Sequence, residues 1–205
     1  MEGIDYSESF APVGKINSIR LLLPLATSQQ WSMYQMDVKS AFLHVNLEEE
    51  IYMEQPLGFV QDSSLVCRLR RSLYGLKQAP RPWYENMDSF LLSIGFAHCH
   101  SDPTIYIQKE GTDLLILVLY VDDLILTGSS SSMIQSVQQQ LMEQFDMTDL
   151  GFLHYFLGLQ VHQSSDGIFI YQEKYVLDLL QHFGMVDCKT TPTPFQSGVV
   201  VLHHQ

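Results

Sequence analysis

Two adjacent acids, Asp122 and Asp123, stand between the apolar runs 114–121 and 124–127. Burying two like charges side by side is costly, because each carboxylate loses water and repels the other. The residues allow two readings. A tight hairpin tip exposed to solvent removes the cost. Alternatively, a divalent cation offsets the repulsion, and Mg²⁺ takes oxygen ligands, usually one or two carboxylates plus substrate phosphates. One hairpin rarely supplies enough ligands, so the second reading requires an acid from elsewhere. Asp37 qualifies, since it follows a strand-like segment and lies between apolar Met36 and Val38. Taken alone, an acid at a strand end is a cap or turn residue. Three acids on two adjacent strands would make a two-metal site for in-line phosphoryl transfer.

The elements that must position these acids are legible in the hydrophobic periodicity. Residues 114–121 read as a buried strand and 124–127 as its hairpin partner, with the two carboxylates at the tip. Residues 31–38 alternate as a strand, with Met36 and Val38 on one face and Asp37 on the other. Apolar residues at helical spacing predict a helix over 16–29, kinked or shortened by Pro24. A second helix has Pro82 in its first turn, carries Trp83, Met87, Phe90, Leu91 and Ile94 as its apolar stripe, and stops at Gly95. A third, capped by Ser131 or Ser132, presents Met133, Ile134, Val137, Leu141, Met142 and Phe145. Strands over 155–161 and 168–171 join through Asp166-Gly167, and a short helix over 173–183 turns Tyr175, Val176, Leu179, Leu180 and Phe183 inward. Antiparallel hairpins with covering helices make the fold class α+β.

Composition narrows the function classes. The chain has 205 residues, with 46% apolar and 17% charged, which suits a packed core and argues against disorder. The longest wholly apolar run, 114–121, is too short to span a bilayer, and the N-terminus lacks a secretory signal pattern, so no membrane partner is expected. Three widely spaced cysteines, Cys67, Cys99 and Cys188, fit a reducing, intracellular setting, cytoplasmic or nuclear rather than secreted. The formal net charge of −12 excludes a uniformly basic nucleic-acid binder. That charge is uneven: residues 1–81 carry eight Lys and Arg against nine acids, whereas residues 82–205 carry three against fourteen. Arg68, Arg70, Arg71, Lys77 and Arg81 form a local basic patch, either a solvated loop or a phosphate-contacting surface.

The motifs then converge on one family. Q-M-D-V-K-S-A-F-L-H at 35–44, S-L-Y-G-L-K-Q-A-P-R-P-W-Y at 72–84 and Y-V-D-D at 120–123 resemble the reverse transcriptase of copia-type LTR retrotransposons. F-A-P-V at 10–13, I-Y-M-E-Q-P-L-G-F at 51–59, D-L-G-F-L-H-Y-F-L-G-L at 149–159 and Q-E-K-Y at 172–175 follow in the family's order. The resemblance implies a palm with an antiparallel sheet backed by helices plus partial fingers, over residues 1–194, followed by an irregular tail, 195–205.

The same resemblance implies an RNA-directed DNA polymerase working on a primed RNA or DNA template with dNTPs. It assigns Asp37, Asp122 and Asp123, with the Val38 carbonyl, to two Mg²⁺ ions, Mn²⁺ being a substitute. It places Phe42, Tyr74, Gly75 and Gln78 around the incoming nucleotide, Phe42 as a steric gate against a ribose 2′-hydroxyl or as a plain core aromatic. Arg70, Arg71, Lys77 and Arg81 would meet phosphates, and Tyr120 would rest beside the primer end or in the core.

Some positions depart from the family pattern. Val45 replaces a usual Gly, Thr148 stands where a Lys is common, and a Lys/Arg-rich fingers segment would precede Ile4. These departures suggest a truncated piece of a Pol polyprotein with weak template affinity. The competing expectation is a catalytically inactive remnant that at most binds nucleic acid.

Overall fold

Strand-forming residues that are apolar on both faces need cover on both sides, and the computed structural model supplies it. It describes residues 11–44, 46–47, 50–77 and 79–191; Gln78, Val45 and the expected tail at 195–205 lie outside the described residues. The helices are α1 (Ile16–Gln29), α2 (Pro80–Ser93), α3 (Ser131–Gln144) and α4 (Glu173–His182). The principal strands are β1 (Met33–Val38), β4 (Ala97–Cys99), β5 (Asp102–Glu110), β6 (Asp113–Tyr120), β7 (Asp123–Gly128) and β8 (Met147–Phe152). These six form one antiparallel sheet in the order β4-β5-β6-β7-β1-β8. A ribbon of β2 (Tyr52–Met53) and β3 (Cys67–Arg68) stands apart from it, as does a small sheet of β9 (Tyr155–Phe156), β10 (Leu159–Ser164) and β11 (Gly167–Tyr171). The α+β reading holds.

Strand alternation sends β6 into two cores. Leu115, Leu117 and Leu119 pack with Trp83, Met87 and Leu91 of α2 and with Ile134, Val137 and Leu141 of α3. Ile116 and Val118 pack on the opposite face with Ile19, Leu22, Leu23 and Ala26 of α1 and with Phe156 and Val161. Burial on both faces explains the continuous apolar run. At the far end of the β6–β7 hairpin the strands close on Gly128, where a Cβ would meet the Leu114 carbonyl oxygen at 2.3 Å.

α2 starts at Pro80, with Pro82 in its first turn as expected and Arg81 beside it. Several local expectations are corrected. α3 is capped by Ser130, whose hydroxyl accepts from the Met133 amide, because Ser131 and Ser132 are already helical. Pro24 lies inside α1 without ending it. The segment 155–161 is two strands, β9 and β10, since Leu157 (φ 48°) and Gly158 (φ 81°) reverse the chain between them. The apolar stripe of α4 is not turned inward: no α4 residue is buried among the described residues.

A buried acid ties α1 to the sheet. Asp102 accepts from the Ser18 hydroxyl on α1 and from the Thr104 amide and hydroxyl. Burial alone would raise its pKa, but these hydrogen bonds and the Lys15 charge outweigh burial and hold it below the usual carboxylate value. A depressed folded pKa adds stability above the unfolded value, which is lost as pH falls through the folded one. Asp102→Asn is expected to lower unfolding free energy by about 1–3 kcal/mol at neutral pH. Denaturant titrations across acidic pH should then show a shallower loss of stability in the variant than in the wild type.

Candidate active site

Strand register brings the three acids together. Asp37, near the end of β1, is the direct cross-strand partner of Asp123, the first residue of β7. Tyr120, the last residue of β6, also pairs with Asp123, so Val121 and Asp122 alone connect the two strands. The Val38 amide donates to the Asp122 carbonyl at 3.0 Å, which fastens this turn to β1. Alternation places Gln35 and Asp37 on the α1 side of the sheet, opposite Met36 and Val38. Asp123 shares that side with Ile125.

The electrostatics are those of crowded carboxylates. Burial and then the Asp122 charge push the Asp37 carboxyl above its usual range. Burial also raises Asp123, and the charges of Asp122 and Asp37 add to that, against a hydrogen bond from Gln35. The Gln35 amide donates to Asp123 at 3.1 Å, while its buried carbonyl oxygen has no partner among the described residues. No three His, Cys, Asp or Glu side chains among the described residues converge tightly enough to form a ready-made metal cage. The donor set nonetheless suits a hard divalent cation, since it offers oxygen atoms whose repulsion a cation would relieve. Such an ion would complete its shell from substrate phosphates and water.

Of the residues expected around a nucleotide, Tyr74 reaches the acids directly. Tyr74 donates its hydroxyl to Asp122 at 3.0 Å and meets Phe42 edge-on, with ring centroids 4.5 Å apart. Phe42 is a buried core ring. Gly75 has φ +96° and open space where a Cβ would stand, so the turn rather than crowding accounts for glycine there. Tyr120 is half-buried and packs on Phe156 at 5.8 Å, on the α1 side of the sheet.

The basic patch divides. Arg68 pairs with Glu50 and Arg81 with Glu85, each at 2.8 Å. Arg71 is exposed and donates to the Leu43 carbonyl at 3.2 Å; Arg70 and Lys77 are exposed as well.

Sequence reasoning passed over Gln35 as a partner of Asp123, although alternation in Q-M-D already places it on the Asp37 face. It also read Trp83 only as core, whereas the indole N–H donates to the Val121 carbonyl at 2.6 Å.

Burial, and then the hydrogen bond and charge of Asp122, push the Tyr74 phenol up to about 12. The neutral phenol thus stays favoured in the folded state until pH passes that value. Spectrophotometric titration of wild type minus Tyr74→Phe should show this late phenol. In an Asp122→Asn background the same difference should move down, short of the free value because burial remains.

Comparisons with known proteins identify the family. The profile described as Reverse transcriptase (RNA-dependent DNA polymerase) matches residues 1–197. The chain is 39% identical over 194 residues to the Retrovirus-related Pol polyprotein from transposon RE1 of Arabidopsis thaliana, covering 94% of this chain and 13% of that protein. It is 44% identical over 198 residues to the Retrovirus-related Pol polyprotein from transposon TNT 1-94 of Nicotiana tabacum, covering 94% of this chain and 15% of that protein. A more distant relative, the Transposon Ty1-DR4 Gag-Pol polyprotein of Saccharomyces cerevisiae, is 30% identical over 125 residues, 60% of this chain and 8% of that protein. No solved structure matches. The chain thus spans a small part of each of these polyproteins, and it belongs to the reverse transcriptase family of transposon Pol polyproteins.

Proposed function

We propose that the chain is the palm, with part of the fingers, of an RNA-directed DNA polymerase that joins dNTPs to a primer 3′-hydroxyl on an RNA or DNA template. The observation that carries this reading is the register Asp37–Asp123 with Asp122 in the two-residue turn beside it. Asp37, Asp122 and Asp123, with the Val38 carbonyl, would hold two Mg²⁺ or Mn²⁺ ions. When bound, such ions supply activation of the 3′-hydroxyl and neutralisation of charge on the triphosphate and departing pyrophosphate.

The chain's own residues do the rest. Gln35 orients Asp123 from the buried side. The β1–β7–β6 register fixes the spacing of the acids before substrate arrives, so little reorganisation is needed at reaction. Tyr74 donates to Asp122 and would give up that bond if Asp122 took a cation. Phe42, which braces Tyr74, would then lie beneath the sugar. Gly75 and Gln78 would border the nucleotide, and Tyr120 the primer end. Arg70, Arg71 and Lys77 are exposed for phosphate contact. Arg81 pairs through Nε with Glu85, and its terminal amino groups would meet phosphate. The ribbon of β2 and β3 is the fingers portion.

Primer extension on a homopolymer template tests the reading. The expectation is Mg²⁺-dependent incorporation, reduced on the order of a thousandfold by Asp122→Asn, as suits the loss of several kcal/mol of charge stabilisation. The folded wild type should also gain melting temperature with Mg²⁺ or Mn²⁺ by mass action, and the variant should not. Metal stabilisation without incorporation at any concentration would instead indicate the inactive remnant.

A further inference from the structure

The turn that carries Asp122 is conformationally unfavourable, and something must hold it. Val121 has φ 56°, in the left-handed region, where a β-branched residue is an outlier. Such a conformation persists only when its surroundings over-determine it. One restraint is visible: Trp83 is 1% exposed, and its indole N–H donates to the Val121 carbonyl at 2.6 Å. The indole is itself fixed, because its ring meets Phe145 edge-on at 5.5 Å and Phe145 in turn meets Phe90 at 5.3 Å. The peptide group that Trp83 holds is the one joining Val121 to Asp122. A rotation there would carry the Asp122 backbone with it, along with the 3.0 Å bond from the Val38 amide.

We propose that Trp83 is a positioning residue for nucleotidyl transfer: its hydrogen bond to the Val121 carbonyl keeps the strained turn in the form that places Asp122 beside Asp37 and Asp123. This rests on the polymerase reading above. Trp83 touches no substrate and acts through the turn. A plain core tryptophan would contribute volume alone, and its replacement by another aromatic ring would cost stability without a specific effect on the turn. The two roles separate because glycine at 121 adopts a positive φ without strain and removes the need for the restraint.

The experiment compares wild type, Trp83→Phe, and Trp83→Phe combined with Val121→Gly. Two readouts are taken: single-nucleotide primer extension, and amide hydrogen exchange at Val38, whose N–H bonds to the turn. Trp83→Phe keeps a ring against Phe145 but loses the donor. The expected result is a fall in kcat of about tenfold or more with KM for the dNTP changed less than about threefold, an interaction felt in the transition state rather than in binding. Exchange at Val38 should quicken. Adding Val121→Gly should restore both, whatever the melting temperature does. Unchanged kcat and unchanged Val38 exchange in Trp83→Phe would overturn the proposal. So would losses that Val121→Gly fails to recover, since those are the mark of a packing role. If wild type incorporates nothing, the polymerase reading fails, and the Val38 exchange data still decide whether Trp83 holds the turn.

Discussion

Three half-buried carboxylates within one turn of chain and one strand register are the constraint around which this molecule is built. Asp37, Asp122 and Asp123 repel one another and lose solvent, and the raised pKa values of Asp37 and Asp123 are the direct consequence. A fold that only sought stability would not put them there. The β6–β7 hairpin closes in two residues, with a valine forced into the left-handed region, and β1 inserts beside β7 in a register that opposes acid to acid. Each of these features opposes folding locally. Each is tolerated because the sheet around it is covered on both faces by α1, α2 and α3 and by the small β9–β11 sheet.

That cover also gives the site its rigidity. Gln35 bonds to Asp123 from inside the sheet and Trp83, on α2, bonds to the Val121 carbonyl beside Asp122, so the site is held by buried side chains rather than by exposed loops. The exposed side of the site is different in character. Tyr74, Gly75 and Lys77 lie on exposed turns between the ribbon and α2.

Much of this was legible in the sequence. The ordered motifs led to the family, the hairpin and helix patterns to the fold class, and the paired acids with the alternation around Asp37 singled out three acids that the strand register brings near one another. What was not legible depends on tertiary pairing. Nothing local says that β1 lies next to β7, and the Gln35 bond to Asp123 follows only from that adjacency. The split of 155–161 turns on a left-handed leucine that propensity does not foresee. The inward stripe expected on α4 failed because periodicity reports amphipathicity and not what lies against the apolar face. The basic patch was read by composition, whereas two of its arginines are committed to Glu50 and Glu85 by partners that composition cannot assign. The net charge of −12 is likewise a poor guide, since it averages over the chain and says nothing of where Arg70, Arg71 and Lys77 stand exposed.

The central claim is that the three carboxylates act as one cation-binding unit. Paramagnetic line broadening by Mn²⁺, read residue by residue in the isotopically labelled full chain, tests it most directly. The account predicts that trace Mn²⁺ first broadens the Asp37, Asp122 and Asp123 amides together with the Gln35 side-chain amide, and that excess Mg²⁺ reverses the effect. Broadening that spreads over the acidic surface at 82–191 without preference for these groups would contradict it.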